Sequence, residues 1–158
     1  MIGIACALLL ASGCIDARVA AAPPIEYVGS AQGLNQRAAL AEINAFRRKH
    51  GLKPVTLDAR LSKAAAAQAR DQARRGRIGH QGSDGSKPVQ RAARAGYNAN
   101  LAAENVASGQ KSFSDAMRGW ERSADHKRNL LLPDAEAAGV AVSYRNGRAY
   151  YTLVLGAE

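Results

Sequence analysis

The segment from residue 140 to residue 155 constrains the fold most, because two apolar stretches flank Asn146-Gly147 there. An Asn-Gly pair in this setting is a strong hairpin signal, since both central residues of the favoured turn need a positive φ. The predicted turn pairs Arg145 with Arg148, which sets the register of the two strands, and successive residues of each strand then point to opposite faces of the sheet. One face then carries Val140, Val142, Tyr144, Tyr151 and Leu153, and the other carries Ala141, Ser143, Tyr150, Thr152 and Val154. Both faces are largely apolar, so we expect helices to cover both.

Four helices are predicted upstream from apolar residues at helical spacing and from start and stop signals. They cover about 35–50, 58–75, 88–96 and 112–122. Asp58 is the expected N-cap of the second, Gly76 ends it, and His50 is interpreted as a capping residue of the first. Hydrophobic residues make up 47% of the 158 residues, enough for a core without disulfides. The pattern predicts an α+β fold, a three-layer α-β-α sandwich around an antiparallel sheet.

Three short segments of the C-terminal half carry residues that can hold a ligand. His80 follows a predicted helix end and begins a polar stretch, which places it in a surface loop or cleft. Glu104 lies among apolar residues, where a buried carboxylate is costly without a partner. His126 lies in the first turn after Ser123, the expected cap of a further helix, and the positive end of that helix favours a neutral imidazole.

Two imidazoles and a carboxylate are suitable ligands for zinc or a similar divalent ion, with a position left open for water. The candidate metal ligands are His80, His126 and possibly Glu104. The alternative interpretation is that Glu104 hydrogen-bonds both histidines and joins loops to the sheet. Asn105 and Asn129 are interpreted as loop or helix caps.

Several short motifs follow one another along the chain: Gly79-His80, Asp84-Gly85, Arg91, Gly96-Tyr97, Ala103-Glu104-Asn105-Val106, Trp120, Ser123, His126, Asn129-Leu130-Leu131 and Gly139-Val140-Ala141-Val142. In this order, the motifs from about 34 to 155 resemble the CAP superfamily (cysteine-rich secretory, antigen 5 and pathogenesis-related 1 proteins), in its cysteine-free bacterial form. The resemblance implies an α-β-α sandwich and a cleft with two histidines and two acids. His80, Glu104 and His126 match three of these, whereas Ser123 stands where the second acid is expected. That departure weakens any mechanism that needs two carboxylates.

The first residues indicate export. An apolar run from 2 to 10 is too short to span a bilayer and ends in Ala-Ser-Gly-Cys14. This ending resembles the lipobox of bacterial lipoproteins, in which cleavage leaves the cysteine available for lipidation. The alternative is an ordinary secretory signal with an incidental cysteine. Cys6 would leave with the signal, so the two cysteines do not form a disulfide framework.

The predicted organisation is a signal peptide over 1–13, a lipidated tether over 14–32 and a CAP-like domain over 33–158. We expect a monomer, exported and anchored to a bacterial envelope membrane through Cys14, on its periplasmic or surface side. The tether holds Ala20-Ala21-Ala22-Pro23-Pro24 and Gly29-Ser30 and lacks sustained apolar periodicity.

The chain is basic, with 22 Lys and Arg against 13 Asp and Glu and a formal net charge of +9. A basic surface favours anionic partners such as lipid headgroups or acidic glycopolymers. Export and the lack of basic runs interleaved with aromatics argue against nucleic acid. The alternative is that these are solvated helix faces without a partner. The local clusters are Arg47-Arg48-Lys49, Arg74-Arg75-Arg77 and Arg91-Arg94.

Two functions are compatible with these residues. The favoured one is a non-enzymatic envelope protein whose His/Glu cleft binds an anionic or apolar ligand. The alternative is a metal-dependent hydrolase in which His80 and His126 hold zinc, Glu104 is the general base and Ser123 orients a water. A serine hydrolase is disfavoured because Ser123 lacks nucleophile-elbow glycines.

Overall fold

The computed structural model describes residues 33–158. The predicted signal, tether and lipidated Cys14 lie outside this range. Five helices and four strands follow one another in the described part of the chain. They are α1 Gln36–Lys49, β1 Thr56–Leu57, α2 Ala59–Arg75, α3 Pro88–Arg94, β2 Leu101–Ser108, α4 Phe113–Arg122, α5 Ala124–Leu130, β3 Ala137–Arg145 and β4 Arg148–Ala157.

The strands form one sheet in the order β1-β3-β4-β2. The short β1 runs parallel to β3, and the other neighbours are antiparallel. The predicted hairpin is confirmed, since Arg145 pairs with Arg148 and Val142 with Tyr151. Its turn residues Asn146 and Gly147 have φ of 49° and 73°, as the favoured turn requires.

Helices cover both faces of the sheet, which confirms the predicted α-β-α sandwich. One core lies between the sheet and the side chains of α1, α4 and α5, including Ile43, Met117 and Trp120. The other lies between the sheet and α2 and α3, with Leu61 and Ala92 at its centre. No helix among residues 33–158 is both long and apolar enough to cross a bilayer.

Local signals set the ends of α2 and its position on the sheet. The Asp58 carboxylate accepts hydrogen bonds from the backbone N–H groups of Arg60 and Leu61, so it is the predicted N-cap. Gly76 ends the helix with a φ of 71°, a conformation that favours glycine. The helix rests directly on β3 at Gly139, where a Cβ would overlap the carbonyl carbon of Leu61. This close approach fixes where the loop after α2 emerges.

Two arginines that were interpreted as parts of basic surface clusters are buried instead. Arg47 is 0% exposed, and its guanidinium donates hydrogen bonds to backbone carbonyls. Arg91 is 6% exposed and belongs to the site described below. The interpretation of these two residues as surface residues was wrong, because a run of basic residues in the sequence does not show which of their side chains faces the core. The carbonyl partners of Arg47 are Lys53, Leu130, Leu132 and Ala135.

Candidate functional site

The loop after α2 carries His80 and is held by side chains from two helices. Gln68 of α2 donates a hydrogen bond from Nε2 to the Gly79 carbonyl at 2.5 Å. Arg75 donates to the Gln81 carbonyl at 3.1 Å, and Arg91 of α3 donates to the His80 carbonyl at 3.0 Å. The backbone on both sides of His80 is therefore fixed, whereas its imidazole is 53% exposed.

Glu104 lies in β2, and its side chain is 1% exposed on the sheet face covered by α2 and α3. Nη2 of Arg91 donates to its Oε2 at 2.7 Å, and Nδ1 of His80 donates to its Oε1 at 3.1 Å. Both carboxylate oxygens are thus engaged. The buried negative charge is neutralised by an arginine whose own side chain is 6% exposed.

His126 lies in the first turn of α5, and Ser123 occupies the N-cap position of that helix. The Ser123 hydroxyl does not bond the helix backbone. Its Oγ lies 2.9 Å from Nδ1 of His126. The backbone carbonyl of His126 accepts a hydrogen bond from Nδ2 of Asn105 in β2 at 3.0 Å, so the sheet positions this turn of the helix.

Asn105 and Asn129 do not cap a helix or a loop, so their predicted role was wrong. Asn105 is part of β2, and Asn129 is in the last turn of α5. Nδ2 of Asn129 donates to Oδ1 of Asn105 at 2.9 Å and to the Glu104 carbonyl at 3.1 Å. These amides join α5 to the strand that carries Glu104, and so bring His126 to the end of the sheet where His80 lies.

The two imidazoles have opposite electrostatic environments. The hydrogen bond from His80 to Glu104 raises the pKa of His80, although partial burial opposes it. Burial lowers the pKa of His126, and a positive charge on His80 lowers it further. The histidines are therefore near enough to influence each other, and His80 is the one more readily protonated.

The predicted site residues converge only in part. Glu104 bonds His80 but not His126, so the alternative in which one carboxylate bridges both histidines holds for His80 alone. An open hollow of about 540 Å³ lies beside His80, and neither Glu104 nor His126 is among its lining residues. Its lining consists of Arg75, Arg77, Ile78, Gly79, His80, Gln81, Gly82, Ser83 and Gly85.

The donor atoms around these histidines do not form a complete metal site. Glu104 is 1% exposed and its oxygens face Arg91 and His80, so this carboxylate is not presented to a metal ion from solvent. Within residues 33–158, no group of three His, Cys, Asp or Glu is arranged to hold a metal. Catalytic zinc sites usually have three protein ligands. The residues present therefore do not fit a catalytic zinc centre, and two imidazoles are the donors that remain.

Arg91 was not among the predicted site residues, although it holds the site together. Glu104 in an apolar segment signalled that a buried partner was needed. Nothing local identified which cation supplies it, because Arg91 lies 13 residues earlier in a separate helix. Its place beside Arg94 in an apparent surface cluster hid this role.

The chain is similar in sequence to known proteins. The model of the cysteine-rich secretory protein family, CAP, matches residues 40–155. A curated relative, the uncharacterized protein YkwD of Bacillus subtilis strain 168, is 35% identical over 97 residues, which cover 61% of this chain and 38% of the relative. The present chain thus spans well under half the length of that relative.

Solved structures share the fold. An outer surface protein of Borrelia burgdorferi superposes with a TM-score of 0.70 at 24% identity, over 77% of this chain and 90% of that chain. An extracellular SCP-domain protein of Bacillus anthracis superposes with a TM-score of 0.69 at 22% identity, over 77% of this chain and 40% of that chain. A structure of NaASP2 with Zn²⁺ superposes with a TM-score of 0.54 at 14% identity, over 77% of this chain and 78% of that chain. At these identities the likeness concerns the fold alone.

Proposed function

Since this chain belongs to the cysteine-rich secretory protein (CAP) family, we propose that it is a non-enzymatic, exported binding protein of the cell envelope. Its ligand is a phosphate- or carboxylate-bearing molecule, such as a lipid headgroup or an acidic glycopolymer. The ligand binds in the hollow beside His80.

The observation that carries this proposal is the composition of the hollow. Its lining includes Arg75, Arg77 and His80 but no aspartate or glutamate. Two carboxylates that bond lining residues lie outside the lining themselves: Glu104 is neutralised by Arg91, and Asp71 is paired with Arg75. A depression lined by one sign of charge raises the local concentration of ligands of the opposite sign.

The lining cations differ in how firmly they are held. Arg75 is 19% exposed and is paired with Asp71 at 2.8 Å, so it forms a fixed wall. Arg77 and His80 are exposed, and they lie on either side of Ile78, which is itself exposed. We therefore assign the main contacts to Arg77 and His80, with Ile78 able to pack against an apolar part of the ligand.

The contacts of Glu104 argue against the hydrolase alternative. A general base must lie within hydrogen-bond reach of the proton it removes. The Glu104 side chain is 1% exposed, and its oxygens accept from Arg91 and His80, so a substrate in solvent has little access to them. The carboxylate serves instead to position His80.

We also propose that the protein is anchored through a lipid on Cys14. The supporting feature is the Ala-Ser-Gly-Cys14 sequence after a short apolar run. The tether, fully extended, reaches roughly 60 Å, enough to hold the binding hollow at or above a membrane surface. Labelling cells with an alkyne-bearing fatty acid tests this. The wild-type protein should take up the label, and Cys14→Ser should not; equal labelling of both contradicts the anchor.

Binding can be measured with the full chain carrying Cys14→Ser, which avoids anchoring through the lipid. The probes are vesicles rich in phosphatidylglycerol, matched phosphatidylcholine vesicles, and soluble poly(glycerol phosphate). We expect binding to the anionic probes that weakens as salt rises. Arg77→Ala should weaken it about fivefold, since one arginine charge near an anionic surface contributes about 1 kcal/mol. His80→Ala should weaken it most at pH values below the pKa of His80, where the imidazole is charged.

Arg48→Ala is the matched control. It removes one exposed arginine from α1, in the helical layer on the opposite side of the sheet. An equal loss in Arg48→Ala and Arg77→Ala would show that only net charge matters, and would refute the assignment to this hollow. Binding that does not change with salt would also refute it.

A second candidate function is the binding of a divalent metal by the two imidazoles. The observation that favours it is that Nδ1 of each ring already has a protein partner, Glu104 for His80 and Ser123 for His126. Such partners commonly orient a histidine that binds metal through Nε2. Zinc titrated calorimetrically into the metal-free protein should bind with one site, and His80→Ala/His126→Ala should abolish it. Absence of binding to the wild type excludes this candidate.

A further inference from the structure

We infer that the protein has a second ligand site, in the cavity between α2 and α3, for a small molecule that carries a secondary amide next to a carboxylate. This cavity is about 280 Å³ and lies beneath the loop from Gly82 to Ser86. It is distinct from the hollow beside His80, although Gly82 and Ser83 contribute to both. The inference does not depend on the proposed function.

Two buried side chains in the cavity lining each leave one polar atom unsatisfied. Gln68 is 0% exposed; its Nε2 bonds the Gly79 carbonyl, while its Oε1 has no partner within residues 33–158. Arg91 bonds Ser86 through Nη1 and Glu104 through Nη2, while its Nε has no partner in the same range. Buried polar atoms are nearly always satisfied. Among the seven buried side-chain atoms without a partner within residues 33–158, these two belong to residues that line this cavity, so they point to a ligand there that supplies their partners.

The two atoms have opposite hydrogen-bonding character. Oε1 of Gln68 accepts a hydrogen bond, and Nε–H of Arg91 donates one. A secondary amide offers a donor N–H and an acceptor C=O within one rigid group. It therefore complements both atoms, whereas a simple hydrocarbon complements neither and a metal ion would complement only the Gln68 oxygen.

The charges around the cavity indicate an anionic group beside the amide. Asp71 of the lining is paired with Arg74, and Asp84 is paired with Arg94. Lys63 is the lining cation that forms no salt bridge within the described part of the chain, and it is exposed at the cavity edge. A carboxylate on the ligand would be attracted to this ammonium group.

The rest of the lining limits the size of the ligand. Ala64, Ala67 and Ala95 contribute methyl groups, which suit a short aliphatic side chain. A volume of about 280 Å³ is at the lower end of small-molecule pockets. The chemistry is that of an N-acyl amino acid or of the free C-terminal end of a short peptide.

The experiment uses the full chain with Cys14→Ser and two probes, N-acetyl-alanine and a pentapeptide that ends in alanine. Each probe is compared with its C-terminal carboxamide, which keeps the amide but loses the charge. Binding is followed by calorimetry and by amide chemical shifts of α2 and α3. We expect the acids to bind and the carboxamides to bind about fivefold more weakly. The tighter of the two acids identifies the source of the ligand.

Three variants locate the site. Lys63→Ala should weaken binding of the acids about fivefold and leave binding of the carboxamides unchanged, because the lost interaction needs both the ammonium and the carboxylate charge. Ala67→Leu, at an exposed position of α2, should block the cavity without disturbing the core. Gln68→Met keeps the length of the side chain and removes the acceptor, so it should reduce binding more than about tenfold.

A control variant distinguishes this cavity from binding elsewhere on the protein. Lys49→Ala removes an exposed lysine from α1, on the opposite side of the sheet, and should not change the affinity. Ala67 lines this cavity but not the hollow beside His80, so loss of binding in Ala67→Leu distinguishes this site from the proposed anion-binding hollow. The inference is overturned if neither probe binds, or if Lys63→Ala and Ala67→Leu bind both acids as tightly as the wild type does.

Discussion

Arg91 of α3 and Glu104 of β2 form a buried ion pair, with Nη2 2.7 Å from Oε2. The same arginine bonds the His80 carbonyl, and the same glutamate bonds the His80 imidazole. One pair of charges therefore fixes both the backbone and the ring of His80. It also keeps the carboxylate of the glutamate away from solvent, since that side chain is 1% exposed.

Removing the arginine of this pair should be strongly destabilising. We expect Arg91→Met to lower the free energy of unfolding by about 3–5 kcal/mol, because it leaves Glu104 charged and buried without its partner. Urea denaturation measures the change. Arg94→Met, which breaks only the exposed pair with Asp84, should cost less than about 1 kcal/mol. The double variant Arg91→Met/Glu104→Gln should be less destabilised than Arg91→Met alone; if it is more destabilised, the ion pair is not the cause.

The pKa values of the two histidines should deviate in opposite directions from the ordinary value of 6.5. In an NMR titration, the pKa of His80 should lie above it and that of His126 below it. Glu104→Gln should bring the pKa of His80 down, because the hydrogen bond to the carboxylate is the main cause of its rise. A pKa of His80 at or below that of His126 in the wild type would contradict the assigned contacts.

The same shifts predict how the histidines contribute to stability. The contribution of His80 is fully present below its unfolded pKa near 6.5 and is lost as the pH rises through its higher folded pKa. The contribution of His126 is fully present above its unfolded pKa and is lost as the pH falls through that value toward its lower folded pKa. Denaturation of His80→Ala and His126→Ala at several pH values should therefore show opposite trends relative to the wild type.

The contact between α2 and β3 should not tolerate a side chain at position 139. In Gly139→Ala the new Cβ would overlap the carbonyl carbon of Leu61, which belongs to the helix backbone and cannot rotate away. We expect a loss of at least about 3 kcal/mol, at or above the upper end for overpacked cores, measured by thermal or urea denaturation. Gly119→Ala, inside α4 and with open space around the new Cβ, should instead stabilise by about 0.5–1 kcal/mol. Equal effects of the two would contradict the close approach.

The buried Arg47 should matter far more than its neighbour Arg48. Arg47→Met leaves backbone carbonyls of Lys53, Leu130 and Leu132 without their donor. We expect a loss of about 3 kcal/mol or more, given about 1–3 kcal/mol for each buried group left unsatisfied. Arg48→Met, at an exposed position of the same helix, should change stability by less than about 0.5 kcal/mol. A comparable loss in Arg48→Met would show that helix charge, not burial, is responsible.

Elements whose signals are local were predicted from the sequence. The hairpin at Asn146-Gly147 has the predicted register, and Asp58 and Gly76 bound α2 as expected. The strand that carries Glu104 was not predicted. Its sequence, LAAENVAS, has one β-branched residue and no strict alternation, so pairing with β4 rather than intrinsic propensity makes it a strand.

The sequence by itself determined the family and the α-β-α layering, and it singled out His80, Glu104 and His126 as candidate site residues. These features depend on motif order, turn residues and apolar periodicity, which are local properties of the sequence. Only the tertiary structure decided their relationships. It paired Glu104 with Arg91, left His126 with Ser123, and buried two arginines that resemble surface residues. The physical reason is that burial and charge pairing depend on which distant segments pack together. The same arginine side chain can be solvated at the surface or can neutralise a buried carboxylate.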